Sequence, residues 1–317
     1  MSTKNGPQHQ NTGRGHPGVG LLASNLFSVK EYVAIVTGGG TGIGLMIAQT
    51  LCANGAKVYI TGRRQEALDT VVKHYSGKCG NKDICGEIVG LMCDITKREE
   101  LQKLCEEIAK REPQGVHILV NNAGVALEEG YTKLEGKEEV DFSNAESLSK
   151  WLLRGDQTTW AQTFDTNVTA QFFVAAMFLP QLEKARKNTP GYSPVVINIA
   201  SISGVMKGSS KGQFAYATSK AALLHLTQML GTILTKAKIR VNCIAPGLFP
   251  SEMTTGESDE TNKSIIEKSL NCPAGRPGKE EDMAAAVLYL TGIGGVYVNG
   301  QTLYPDGGMV LSNPATI

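Results

Sequence analysis

The chain carries almost no surplus of charge: 31 Lys and Arg against 30 Asp and Glu leave a formal +1 over 317 residues. So even a balance sets up no broad field for nucleic acid or an anionic membrane, and a small molecule is the expected partner. No apolar run approaches the length of a membrane span. No C-x-x-C and no paired His-x₃₋₅-His is present, so zinc-site spacing is missing and no metal is expected. The seven cysteines (Cys52, Cys79, Cys85, Cys93, Cys105, Cys243, Cys272) are odd in number and irregularly spaced, and several fall in apolar runs. They read as reduced thiols of an intracellular, cytoplasmic protein, which makes the sequons at Asn167 and Asn262 coincidental. No internal repeat appears, and no composition shift marks a boundary beyond about residue 26. Residues 1–25 hold no acidic residue and no hydrophobic periodicity, only Gly, Pro, Gln and Asn in quantity. They read as a disordered lead, whose glycines and prolines argue against an amphipathic transit helix. The length suits one large α/β domain or two smaller ones.

The richest stretch runs from Tyr32 to Asn54. A short apolar run, Tyr32-Val33-Ala34-Ile35-Val36-Thr37, meets the cluster Gly38-Gly39-Gly40-Thr41-Gly42-Ile43-Gly44, after which Ile43, Ile47 and Leu51 recur every four residues. That pattern predicts a buried strand, a glycine-rich turn and an amphipathic helix. The first turn of a helix offers unpaired N–H groups, and glycines let a pyrophosphate approach the backbone. The spacing, Thr37-Gly38-x-x-x-Gly42-Ile43-Gly44, differs from the usual G-x-G-x-x-G fingerprint.

Strands are expected at 57–61, 87–93, 116–120, 195–199, 240–245 and 302–304, and helices at 65–75, 97–111, 159–188, 216–236 and 279–290. Strand–helix alternation of this kind implies a doubly wound parallel sheet of about seven strands with helices on both faces. Residues 125–158 break the rhythm: rich in Glu, Lys and Gly, with a helix near 143–153, they form either a substrate-covering element or a surface insertion. Trp160, Phe164, Val168 and Phe172, at four-residue steps, read as core or subunit contact.

Tyr216 and Lys220 share one helix face in Tyr-Ala-Thr-Ser-Lys. A nearby ammonium favours a phenolate; a drop of ~3 units needs about 4 kcal/mol, which one close cation could largely supply.

The motifs Thr37-Gly38-x-x-x-Gly42-Ile43-Gly44, Asn121-Asn122-Ala123-Gly124, Asn167, Ser201, Tyr216-x-x-x-Lys220 and Pro246-Gly247 follow in one order. Together they resemble the short-chain dehydrogenase/reductase family over about residues 27 to 312. The resemblance implies one Rossmann-like domain over residues 26–317 with an enlarged 125–158 segment. Tyr216 is then the general acid in carbonyl reduction. Lys220 lowers its pKa and holds the nicotinamide ribose, Ser201 binds the carbonyl oxygen, and Asn167 holds a water that relays protons to Lys220. Thr37, Gly38, Gly42, Ile43, Gly44, Asn122, Ala123, Gly124, Pro246, Gly247 and Phe249 are implied along the cofactor. Asp94, beside Ile95, contacts the adenine or caps the following helix, and Ser251 binds the carboxamide. Strand two ends in Thr61-Gly62-Arg63-Arg64 with no Asp, which suits the 2′-phosphate of NADP(H), Arg63 leading. Thr41 stands where many NADP-dependent members carry Lys or Arg.

The stretches 245–254 and 303–308 look most like 3-oxoacyl-carrier-protein reductases of the rhamnolipid-biosynthesis type. The Ser201–Tyr216 interval is about two residues longer than the commonest spacing. The expected activity is NADPH-dependent reduction of a ketone by a homodimer or homotetramer. An imine or other specialised-metabolite reductase and a non-catalytic NADP-binding scaffold are the alternatives.

Overall fold

Alternation along the first strand shows how the sheet is covered. Val33 and Ile35 belong to one apolar cluster, Ala34 and Val36 to another, and all four are buried. A strand packed on both faces has no polar side, so its sequence is apolar without a break. The computed structural model describes residues 19–80, 85–128, 140–208 and 210–315. The expected disordered lead falls mostly outside these, as do 129–139 of the enlarged segment; within 19–25 the chain makes a 3₁₀ turn, Val19–Leu21, and enters a helical turn.

In chain order the elements are α1 (Ala23–Leu26), β1 (Val33–Thr37), α2 (Gly42–Ala53), β2 (Lys57–Gly62), α3 (Gln65–Tyr75), β3 (Glu87–Met92), α4 (Arg98–Arg111) and β4 (Ile118–Asn121). Then follow α5 (Ala145–Leu152), α6 (Gln157–Phe164), α7 (Ala170–Asn188), β5 (Val195–Ile199), α8 (Phe214–Ile233) and β6 (Arg240–Ile244). The chain closes with α9 (Glu252–Thr255), α10 (Glu280–Thr291), β7 (Thr302–Leu303) and α11 (Met309–Ser312). All seven strands are parallel, in the order β3-β2-β1-β4-β5-β6-β7.

Helices α2, α3 and α10 cover one face through Leu45, Ile47, Leu51, Leu68, Met283 and Leu290. Helices α4, α7 and α8 cover the other through Leu104, Ile108, Val174, Phe178 and Leu230. Each such fully buried side chain stabilises the fold by roughly 1.5–3 kcal/mol. The order reverses between β1 and β4, and a crevice opens beyond their carboxyl ends, where open α/β sheets place ligands.

Two expectations gain detail and one needs correction. The long helix expected over 159–188 runs without a break from α6 into α7, through a π turn, Asp165–Thr169, which points Asn167 inward and buries it completely. Of the two readings of the stripe Trp160, Phe164, Val168, Phe172, core is excluded and subunit contact stays open: Trp160 and Phe172 are exposed, because residues 163, 167, 170, 171 and 174 take the inner face. Cys79 and Cys85, expected as reduced thiols, form a disulfide with Cα atoms 5.5 Å apart. Cys52 adds a third sulfur within 4.8 Å of theirs. No spacing motif announces this group; it forms only because the α3–β3 connection folds against the last turn of α2.

Candidate active site

The crevice is a cleft of about 800 Å³ running from the glycine turn, past the ends of β2 and β3, to Tyr216 and Lys220. Its glycine spacing has a steric cause at each position. Gly38 and Gly42 have φ of +64° and +53°, which favour glycine. A Cβ on Gly44 would run into the Gly38 carbonyl oxygen, and one on Gly42 would meet the Ser251 Cβ at 2.7 Å. The bare turn leaves the N-terminus of the 12-residue α2 open, with no side-chain cap from Thr41. That is a cradle for a pyrophosphate.

Of the expected cofactor residues, Gly38, Gly42, Ile43, Gly44, Arg63, Arg64, Asp94, Ile95, Asn122, Ala123, Gly124, Tyr216, Lys220 and Ser251 line the cleft. Four others do not. Thr37 is buried; its hydroxyl accepts from the Asn122 and Ala123 amides at 3.0 and 3.1 Å, so it fastens the Asn-Asn-Ala-Gly stretch to β1. Phe249 is buried beneath Gly278, where a Cβ would strike its ring. The Pro246 carbonyl accepts from the Ile202 amide, and Gly247 lets the backbone pass Asp306 closely. These three brace the loop around the site.

Asn122 donates to the Thr37 and Gly38 carbonyls at 2.9 and 3.0 Å, holding the glycine turn in place. Asn121 turns instead into the core, to Asn198 and the Gln171 carbonyl. Asp94 accepts from the Thr96 amide and hydroxyl at 3.0 and 2.8 Å, which closes a turn ahead of α4 rather than capping it, since the cap position is Lys97 and has no side-chain bond; Asp94 also faces the cleft. The two arginines differ. Arg63 is exposed and forms no ion pair with a described residue, whereas Arg64 is bound to Glu252 at 2.7 Å across the cleft mouth.

At the other end, the Lys220 ammonium is buried and donates to the Ile199 carbonyl at 2.8 Å, 5.7 Å from the centroid of the Tyr216 ring. Burial pulls Lys220 down to about 8, with Cys243 acting weakly in the opposite direction. Burial also pushes the Tyr216 phenol up from its ordinary value, and the nearby Ser201 hydroxyl pulls it part of the way back. The expected lowering of Tyr216 by Lys220 is therefore not seen, because the ammonium is directed at the end of β5. Asn167 accepts from the Val125 amide at 2.8 Å and donates to the Val125 carbonyl at 2.9 Å and to Ser219 at 3.0 Å. Ser219 in turn donates to the Tyr216 carbonyl at 2.7 Å. Two residues at this site carried no sequence signal. Glu128 and Glu252 both stand in polar runs that look like solvated surface.

A family model described as short chain dehydrogenase matches residues 32–262. The chain belongs to the short-chain dehydrogenase family. Short-chain dehydrogenase/reductase PhomF′ of Diaporthe leptostromiformis is 39% identical over 304 residues, covering 93% of this chain and 97% of the relative. The rhamnolipids biosynthesis 3-oxoacyl-[acyl-carrier-protein] reductase of Pseudomonas aeruginosa is 33% identical over 288 residues, covering 90% and 98%. Among solved structures, the Pseudomonas aeruginosa RhlG/NADP active-site complex superposes with a TM-score of 0.70 at 30% identity, covering 90% of this chain and 98% of that one. Family membership makes the chain an oxidoreductase with a nicotinamide cofactor, and the glycine cradle and open α2 N-terminus fit such a group. Among the described residues, no helix is long and apolar enough to cross a membrane.

Proposed function

We propose that the chain uses NADPH to reduce a ketone, a 3-oxoacyl thioester or a similar carbonyl, to a secondary alcohol. The observation that carries this reading is the Tyr216 phenol and the buried Lys220 ammonium side by side in the cleft lining, the ammonium 5.7 Å from the centroid of the phenol ring. The relative named as a 3-oxoacyl reductase and the solved NADP complex support it. When bound, the nicotinamide supplies the hydride.

The chain's own groups do the rest. Ser201 donates a hydrogen bond to the carbonyl oxygen, and Tyr216 gives that oxygen its proton. A phenol raised by burial stays protonated at neutral pH, as a proton donor must. Lys220 uses one N–H on Ile199 and keeps two for the ribose hydroxyls. Asn167, buried between Val125 and Ser219, holds the water that relays protons to Lys220. Gly38, Gly42, Ile43 and Gly44 hold the pyrophosphate, Arg63 the 2′-phosphate, Asp94 and Ile95 the adenine, and Ser251 the carboxamide. Asn122, Ala123 and Gly124 border the ribose. A cytoplasmic homo-oligomer completes the reading; its assembly is supported by apolar side chains exposed on the outer helices.

Oxidation of NADPH and NADH against 3-oxoacyl thioesters, small ketones and quinones tests the proposal. Turnover with NADPH is expected, falling by about 10²–10⁴ in Tyr216→Phe while NADPH binding survives. Binding without turnover in both proteins would favour the scaffold alternative.

A further inference from the structure

The helix that bears Tyr216 starts badly by its own sequence. Gln213 occupies the position before the first helical residue and makes no side-chain cap, so the Ala215 and Tyr216 amides of the first turn receive nothing from it. Gln213 is not among the residues favoured there. Tyr216 is the third helical residue, inside that turn, where the Ala217 amide bonds to the Gln213 carbonyl. Left so, the turn with the proton donor would be the end of α8 most prone to fray.

Its missing partner arrives from 88 residues upstream. Glu128 is only 4% exposed, and its two carboxylate oxygens accept separately from the Ala215 amide at 2.7 Å and the Tyr216 amide at 2.9 Å. A carboxylate at a helix N-terminus also meets the positive end of the helix dipole. The arm that carries it is short and pinned. Val125, three residues earlier, is gripped through both its amide and its carbonyl by Asn167. Asn167 reaches Ser219, and Ser219 the Tyr216 carbonyl. The Tyr216 backbone is therefore held at its N–H by Glu128 and at its carbonyl by Ser219, and both lines lead back to the chain leaving β4.

We propose that Glu128 is a positioning residue for the proton donor: it caps α8 from a distance and fixes where Tyr216 stands over the cleft. This rests on the reading of Tyr216 as general acid. Nothing in the geometry brings Glu128 to the cofactor cleft, whose lining it does not join. Its loss should therefore affect turnover and leave cofactor binding alone.

Glu128→Gln and Glu128→Ala separate the possibilities. Glutamine keeps the length and one acceptor but sets an NH₂ against the second amide; alanine removes both acceptors. With acetoacetyl-coenzyme A and NADPH, kcat should fall about tenfold in Glu128→Gln, with the NADPH dissociation constant and KM within twofold of the parent. Hydrogen exchange at the Ala215 and Tyr216 amides should quicken by a similar factor. If Glu128→Ala does not fold, the isosteric glutamine variant carries the test. An unchanged kcat, unchanged exchange at both amides, or an equal loss of NADPH affinity overturns the proposal. A parent protein that turns over no carbonyl overturns the reduction reading instead; the exchange measurement then decides whether Glu128 anchors the turn.

Discussion

His117 shows how much one buried side chain can make depend on pH. Its Nδ1 accepts from the Val33 amide at 3.1 Å, so Nε2 carries the proton and donates to the Thr189 hydroxyl at 2.9 Å. The neutral ring stacks on Tyr32 with centroids 4.7 Å apart. Burial lowers His117 from 6.5 to about 4, against a weak opposing pull from Glu112. A protonated ring would set Nδ1–H against the Val33 N–H. The folded value lies below the unfolded one, so the unfolded chain binds the extra proton first. The contribution of this group is therefore present above pH 6.5 and is lost as the pH falls towards 4, up to about 3 kcal/mol in all. Denaturant unfolding at pH 7 and pH 4.5 should show that loss, and His117→Gln should remove most of it. An identical pH dependence in the variant would place the acid sensitivity elsewhere.

At the level of elements, the connection between β2 and α3 meets the start of α9 over the cleft. Arg64 closes that meeting through Glu252, while Arg63 forms no ion pair with a described residue. Glu252 is held below its ordinary value; burial opposes this, and the hydrogen bonds from Arg64 and Ser258 prevail. The pair is largely solvated, so its worth is small and screened by salt. Arg63→Ala should weaken NADPH binding by roughly 10- to 100-fold with little change for NADH, the loss of one charge-assisted bond to a phosphate. Glu252→Gln should tighten NADPH binding by up to about fivefold by releasing Arg64. Cofactor fluorescence titrations read both, and an Arg63→Ala protein with undiminished NADPH affinity would remove Arg63 from the phosphate site.

On the scale of the whole molecule, the outer helices do not finish their own burial. Trp160 on α6, Phe172 on α7, and Met229 and Ile233 on α8 stay exposed, while Leu223, Leu230 and Leu234 are taken up by the monomer core. Exposed apolar side chains of this size on neighbouring helices suit contact with a second copy. Light scattering should report a mass of two or four chains, and Phe172→Asp combined with Ile233→Asp should lower it. A wild-type protein that runs as a 33.8 kDa monomer would refute the assembly.

The strands and helices could be read from the chain because their patterns are local. Val195–Ile199 matches its expected bounds and Gln65–Tyr75 does so as well. Apolar runs, helical periodicity and glycine positions express what each segment must bury, and the order of motifs from Thr37 to Gly247 was enough to suggest the family. The cleft likewise gathers most of the residues that those motifs mark. Tertiary structure alone decided which of several polar residues became partners. Glu128 looks like any acidic residue in a charged run until the fold lays it against the Ala215 and Tyr216 amides. Arg63 and Arg64 are adjacent and chemically alike, yet among the described residues only Arg64 finds a carboxylate, 188 positions away. Thr37 and Phe249 belong to motifs at the cleft but face inward, and the disulfide follows no motif spacing. Periodicity reports which face of a segment is apolar; it carries no record of what another segment, distant in the chain, will bring against the polar face.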